Sequence, residues 1–553
     1  MSAASAHDQL IAQAIQFHSA GQIQEAEQLY RQILGQNPNH PDALHLLGVI
    51  AHQVGQLDAA AELMSRAISV QPLAIYYGNI AEVYRQLGRI PEAESAARRA
   101  VELMPTLFSA RVNLAAILMD SGRHEEAESH LRSALEIDPN HAAVLGMLGN
   151  VLLKKGQVEE AIELGRRAAD RAPADPVVHN NLAAALERAG RLEEALSSYS
   201  RANQFRPDHP ELLTNLGTIR RKLGDLNGAV ADWKRVAAIN PEHPDANWNL
   251  GLAYLTAGDF ERGWPLYEWR LRTESGRAYW REYPSPRWDG SEIAGKRILL
   301  YPEQGYGDVI MFARFIGELA RRGARIVLHC PAEMADLMRD VAGIEQVISL
   351  DDEPPSFDFH LPLLSLPSVL RTGFEDLARD VPYIHADAGR VERWRGKISG
   401  GPGELRVGLC FRGRAAPDPS RSCALSEFAP LADVQNVRLF SLQVNEGREE
   451  VAHLAESLRL TDLAGDLHDF SDTAAAIANL DLLISIDTAA AHLAGAMGAQ
   501  VWTMIPQVPD FRWMLDREDS PWYPSMRLFR QSRRGQWGDV ILRMKDELSR
   551  LRK

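Results

Sequence analysis

Two stretches of this 553-residue sequence place reactive side chains directly after short apolar runs. The first reads Leu299-Leu300-Tyr301-Pro302-Glu303-Gln304-Gly305-Tyr306-Gly307-Asp308, a strand running into a glycine turn with an aspartate opening a helix. Gly305 and Gly307 would let the backbone approach a ligand closely, and Asp308 would project into the cleft beside them. An aspartate that simply caps the helix fits the same pattern. There is no third glycine, so the dinucleotide fingerprint is not met. The second stretch reads Ile484-Ser485-Ile486-Asp487-Thr488-Ala489-Ala490-Ala491-His492, a β-branched strand followed by a helix of small residues. The free N–H groups and positive dipole end of that helix suit a phosphate. Thr488 and His492 lie four apart, so both face that mouth and fit contacts to it. Between these stretches, Arg412, Arg414 and Arg421 follow a further strand. Arginine forks can hold a phosphate and a carboxylate at once, and a solvated basic loop is the alternative.

Positioning such groups requires strand ends that converge. After Lys296 short apolar runs at 297–301, 325–330, 346–350 and 359–363 alternate with helical stretches at 309–321 and 332–341. A Gly-Pro-Gly break at 401–403 separates these from a second series at 405–411, 437–444, 458–463, 480–486 and 500–505. Two successive βα series predict two Rossmann-like halves, 296–400 and 401–553, which the resemblance described below would make the acceptor side and the nucleotide-sugar side. Ligands in such sheets bind beyond the carboxyl ends of the strands, where both stretches lie. Residues 273–295, with Tyr279-Trp280 and Pro286-Arg287-Trp288, are too aromatic for a flexible linker and predict a packed connector.

The first half of the chain is periodic. Glycines at 55, 88, 122, 156, 190, 224 and 258 are separated by 33 and then by 34 residues. Small residues follow at a fixed offset (Ala60, Ala93, Ala127, Ala161, Ala195, Ala229), and prolines from Pro38 to Pro241 close the units. Each unit therefore reads as two helices crossing closely on small residues, with glycine at the turn and proline ending the second helix. This resembles the tetratricopeptide repeat, with about eight units over 7–272. Such arrays stack into a superhelix with a concave groove. Asn79, Asn113, Asn181, Asn215 and Asn249 fall on one 34-residue grid, interrupted by Met147. A row of amides can pair with the backbone of an extended peptide, resembling the ladder of protein O-GlcNAc transferases. Hydrogen bonds within each repeat are the alternative.

Composition narrows the partners. Net charge is −14, which argues against nucleic acid or anionic membrane as the main partner. Three cysteines, none in a CxxC pair, predict no disulfide framework or zinc cluster, and no run approaches the ~20 apolar residues of a membrane span. Residues 1–14 lack a basic stretch followed by an apolar run, so a cytoplasmic location is expected.

Gly307-Asp308 together with Asp487-Thr488, His492 and the following Leu493-Ala494-Gly495-Ala496-Met497-Gly498 resemble the heptosyltransferase-like glycosyltransferases of GT-B architecture. The tail 509–524, the hinge 258–270 and Leu442-Gln443 extend the resemblance to a bacterial subgroup that fuses tetratricopeptide repeats to this domain, including the flagellin glycosyltransferases of stalked alphaproteobacteria. It implies an all-α repeat superhelix followed by an α/β GT-B fold of two Rossmann-like domains. It implies a nucleotide-sugar co-substrate contacted by Gly305, Gly307, Arg412, Arg414, Arg421, Ser422, Gln443, Asp487, Thr488 and His492. A client protein, flagellin, would sit in the repeat groove. One loop departs from the pattern: relatives carry Trp-Ala-Gly-Asn where this chain reads Arg412-Gly413-Arg414-Ala415, and Arg421-Ser422 keeps the pattern's end. That basic loop puts neutral nucleotide hexoses in doubt and fits an acidic nine-carbon sugar on CMP, of the pseudaminic class.

The implied mechanism is direct displacement at the anomeric carbon. Asp308 as general base would take the proton of a Ser or Thr hydroxyl, while the 487–492 helix and the arginines stabilise the departing phosphate. No Asp-x-Asp occurs in the chain, so neither a metal nor another cofactor is expected. Two alternatives stand beside this: a non-catalytic repeat adaptor with a degenerate transferase fold, and a transferase acting on a glycan, which the asparagine row disfavours.

Overall fold

A computed structural model describes residues 3–414 and 419–551. Its chain divides into two compact units, Met1–Ile219 and Arg220–Lys553.

The first unit is built of antiparallel helix pairs, from Ala3–Ser19 with Ile23–Gln36 to Pro176–Arg188 with Leu192–Phe205. Each pair turns on a glycine with positive φ, between 71° and 81° at Gly55, Gly88, Gly122, Gly156 and Gly190, a conformation a side chain would strain. The helices cross where small residues face each other. A Cβ on Gly149 would stand 3.3 Å from the Ala161 carbonyl oxygen. Repeats continue into the second unit as Leu226–Ile239, Pro244–Thr256 and Phe260–Tyr267, with Pro210–Lys222 straddling the division. The last helices of the series, Phe260–Tyr267 and the 3-10 turn Glu268–Arg272, belong to the second unit with the α/β part.

The second unit holds two all-parallel sheets. The strands β1 (Arg297–Tyr301), β2 (Arg325–Cys330), β3 (Ile344–Ser349) and β4 (Phe359–Pro362) form the first, in order β3-β2-β1-β4. The strands β5 (Leu405–Cys410), β6 (Val437–Ser441), β7 (Leu460–Asp462), β8 (Leu482–Ile486), β9 (Val501–Ile505) and β10 (Met526–Arg530) form the second, in order β10-β9-β8-β5-β6-β7. Every strand expected from the sequence is present, and β10 is an addition. The expected helix at 309–321 is instead Tyr306–Phe312, a 3-10 turn and Ile316–Arg321. Strand order reverses beside β1, between β2 and β4, and beside β5, between β6 and β8. At such points the connecting chains diverge and open a crevice at the carboxyl ends.

One apolar core joins both sheets to the last repeat. Trp264 meets Phe312 of the first half and Phe511 and Trp522 of the second at ring separations of 6.2–6.4 Å. Its indole Nε1 donates to the Thr372 carbonyl at 3.1 Å. Close packing here leaves no room for a side chain at Gly251, whose Cβ would lie 2.7 Å from the Tyr267 nitrogen. The connector runs along β4: the Trp288 nitrogen donates to the His360 carbonyl at 3.0 Å, and Tyr283 packs on Tyr301 and Phe357. Its packing is local, since Trp288 is buried whereas Tyr279 and Trp280 are exposed. All three cysteines are buried and unpaired. Among the described residues no helix is long and apolar enough to cross a membrane.

Candidate functional site

Leaving β1, the chain turns at Gly305 and enters the Tyr306–Phe312 helix. Asp308 is its third residue, and its Oδ2 accepts the Gly305 N–H at 3.1 Å, closing a capping box. Its Oδ1 accepts from Nη2 of Arg512, in the turn Phe511–Trp513 of the other half. Both roles thus coexist in Asp308: it caps, and it faces the cleft. Gly305 is in extended backbone open to any residue, with φ −73°. At Gly307 a Cβ would lie 2.9 Å from His492 Cδ2, so its absence lets the two halves meet.

Beyond β8, Thr488 is the N-cap of Ala489–Ala496, and its Oγ1 lies 2.9 Å from Ser485 Oγ. His492 is buried. Its Nδ1 lies 3.0 Å from the Tyr523 hydroxyl, its ring stacks on Trp513 at 5.2 Å, and its Nε2 is 3.6 Å from Asp487 Oδ1. The imidazole expected at the mouth is therefore packed behind it, bracing Asp487. Burial alone would raise the Asp487 carboxyl; His492 and the nearby Arg512 charge overcome this and hold it below the usual carboxylate range.

Of the loop arginines, Arg412 is committed to Glu450, with Nε at 2.6 Å from Oε1. Arg421 donates to the Arg414 carbonyl at 3.2 Å and packs its guanidinium on Gly413. Arg414 is exposed, and its charge acts on Tyr306 at the start of the first half's helix, so the loop reaches across. Residues 415–418 of this loop lie outside the described residues. Ser422 Oγ accepts the Gly413 N–H at 3.2 Å and shapes the loop. Gln443 is engaged by the loop: its Oε1 accepts from Phe411 and Arg412 nitrogens, both at 2.9 Å. Its Nε2 donates to the Arg412 and Glu446 carbonyls at 3.1 and 2.9 Å. With both ends of the amide spent, Gln443 clamps the loop.

The sequence reading passed over the ion network behind this cleft. Arg512, inside the 509–524 tail, binds Asp308 and, through Nη1, Asp510 at 2.6 Å. Burial opposes its charge, yet Asp308 and Asp510 hold it well above its ordinary range. Three successive side chains of one turn divide the work. Phe511 packs on Tyr267 of the last repeat at 5.5 Å, Arg512 binds Asp308, and Trp513 stacks on His492. Glu303, at the end of β1, is buried against Arg270. A charged residue between an apolar strand and the glycine turn was the signal available for it.

A cavity of about 440 Å³ lies elsewhere, lined by Arg390, Trp394, Lys397, Asp466 and Asp469 among others. Its charges neutralise one another, Arg390 with Asp469 at 2.8 Å and Lys397 with Asp466 at 2.5 Å. The strand-end site has the better claim because it lies at both sheet reversals.

In the first unit Asn79, Asn113, Asn181 and Asn215 each occupy the sixth position of their helix, half-buried; Asn249 holds that position in Pro244–Thr256 of the second unit. Three spend the amide nitrogen on the preceding repeat: Asn79 on His45 Nε2 at 2.9 Å, Asn113 on the Gly78 carbonyl at 2.9 Å and Asn215 on Asn180 Oδ1 at 3.1 Å. Burial pushes the His45 imidazole down to about 4, so its Nε2 accepts. At these three positions the expected two-way ladder is replaced by amide nitrogens that tie neighbouring repeats together.

Comparison with known proteins agrees with this division. Residues 3–211 match the C-terminal domain of cilia and flagella-associated protein 70, and residues 217–258 match a tetratricopeptide repeat. Residues 427–512 match glycosyltransferase family 9 (heptosyltransferase), a span that holds Asp487, Thr488, His492 and Arg512 but not Asp308. Protein FlbA of Caulobacter vibrioides is 27% identical over 319 residues, 52% of this chain and 52% of that protein. The chain thus spans about half the length of this curated relative. Among solved structures, the APC/C hetero-tetramer Cut9-Hcn1 is 17% identical with a TM-score of 0.40, covering 48% of this chain and 52% of that one. A tetratricopeptide repeat protein from Parabacteroides merdae is 17% identical with a TM-score of 0.37, covering 45% and 99%. At these TM-scores the structural likeness says nothing about function.

Proposed function

We propose that this chain, a tetratricopeptide-repeat protein that carries a family 9 glycosyltransferase domain and resembles FlbA, transfers a sugar from a nucleotide donor to Ser or Thr of a client protein. The observation that carries this is the meeting of Asp308, from the end of β1, with the Asp487, His492 and Arg512 cluster beyond β8. A carboxylate on one half and the N-terminus of the Ala489–Ala496 helix on the other supply what in-line displacement requires: a base on the acceptor side and charge stabilisation on the donor side. The repeats recruit the client, with flagellin as first choice on the resemblance of the sequence motifs to the flagellin glycosyltransferases of stalked alphaproteobacteria. The donor is a nucleotide sugar, and an acidic nine-carbon sugar on CMP heads the candidates because Arg414 stands exposed over the cleft. Transfer proceeds without a metal clamp, in keeping with the lack of any Asp-x-Asp, and takes place in the cytoplasm.

Intact-mass analysis of flagellins made with and without this protein is the test. A mass added only in its presence, and lost with Asp308→Asn, is expected, with a rate loss of about 10²–10⁴ for the missing base. Unmodified flagellin in both arms would remove that client, and full transfer by Asp308→Asn would remove the base.

A further inference from the structure

Arg512 holds Asp308 through Nη2, and a carboxylate so held is engaged on the side it needs for accepting a hydroxyl proton. The same guanidinium is anchored by its other nitrogen, with Nη1 on Asp510 at 2.6 Å, and Asp510 Oδ1 also accepts the Arg512 backbone N–H at 3.0 Å. One end is therefore fixed within its own turn while the other spans the two halves. Phe511 and Trp513, wedged on Tyr267 and His492, keep that turn in place.

Arg414, the exposed cation of the loop, acts on Tyr306 of the first half's helix, whereas Arg512 is the largely buried cation beside Asp308 and Asp510. Against burial, His492, Trp513 and Arg512 together hold the Asp487 carboxyl down. Arg412, the nearest sequence-expected substitute, is spent on Glu450. A donor phosphate arriving at the Thr488 end meets Arg512 as its cation, and planar guanidinium binds phosphate at least as readily as carboxylate.

We propose that Arg512 is the donor-phosphate ligand of this site and that it exchanges partners, its Nη2 leaving Asp308 for a phosphate oxygen while Nη1 stays on Asp510. The exchange makes the base available only when donor is present, so an empty site holds Asp308 occupied. This rests on the donor reading above, and it adds the residue that binds the phosphate and the order of events.

The test is equilibrium binding of CMP, UDP, GDP and ADP to the full chain by calorimetry, with cytidine and uridine as phosphate-free controls. Arg512→Gln is expected to weaken binding of the preferred nucleotide about tenfold or more, the scale of a charge-assisted contact, with Arg512→Lys between it and the native protein. Asp308→Asn is expected to tighten binding about threefold or more, because the competitor for Nη2 loses its charge. A misfolded variant cannot bind more tightly, so this arm is protected from loss of structure. In the Arg512→Gln background the tightening by Asp308→Asn should vanish, as exchange through Arg512 requires. If it persists there, the effect is general electrostatics and the inference fails. If the native protein binds a nucleotide but Asp308→Asn binds it equally or more weakly, the inference fails and the donor reading stands. If the native protein binds none of the four nucleotides, the donor reading itself falls and takes the inference with it.

Discussion

Arg270 donates from Nη2 to Glu303 Oε2 at 2.7 Å, and each residue is only 4% exposed. The pair joins the end of the repeat array to the end of β1. Arg270 Nη2 also donates to Ser365 Oγ at 2.7 Å and Nη1 to Glu268 at 2.6 Å, so the guanidinium is shared between two carboxylates.

Removing that cation should leave Glu303 buried without charge compensation. Arg270→Met is expected to cost about 3–5 kcal/mol, the scale of breaking a buried pair from one side. The cost should also depend on pH. Burial pushes the Glu303 carboxyl above its ordinary range against the pull of Arg270. A carboxyl raised in the folded state contributes stability that is present below its unfolded pKa, about 4.3, and lost as pH rises through the folded value. Without Arg270 that loss deepens, so the variant should be hurt more at about pH 8 than at about pH 5. Urea unfolding at the two values checks it, and an equal cost at both would count against a buried carboxylate as the cause.

Gly307→Ala tests the meeting of the halves. The new Cβ would stand 2.9 Å from His492 Cδ2 and 3.6 Å from Ala489 Cα, so the histidine must shift or the helices part. A loss of about 1–3 kcal/mol is expected, as for other overpacked contacts. It should come with a fall in transfer rate larger than any change in client affinity. Thermal unfolding and steady-state kinetics read the two, and a variant as stable and active as the native chain would show that this contact carries no strain.

The asparagine row makes a double demand. Replacing Asn113 and Asn215 by Ala should weaken client binding and also lower stability by about 1 kcal/mol per lost hydrogen bond. Client binding unchanged alongside reduced stability would assign these amides to the repeats alone.

Much of this protein was readable along the chain because its features are local. The repeat period needs only residues within 34 positions, and the glycine turns it predicts adopt the positive φ that selects glycine. Strand ends such as Tyr301 and Ile486 show as short apolar runs stopped by polar or glycine residues. Asp308, Asp487 and Thr488 lie at the ends they were assigned to, since a parallel strand followed by a helix fixes where its carboxyl end points.

Partners were another matter. Asp308 meets Arg512 across 204 positions, and nothing in either neighbourhood marks the other. Gln443 entered as a donor contact only through the family resemblance, and folding engages both ends of its amide with the loop it faces. His492 shares a helical face with Thr488, yet Tyr523 and Trp513, brought in from beyond β9, bury it. Local pattern follows from backbone geometry and solvent exposure along one element. Whether a charged group ends up reaching a ligand or another side chain depends on which distant segments condense around it, and that competition is settled only when the core closes.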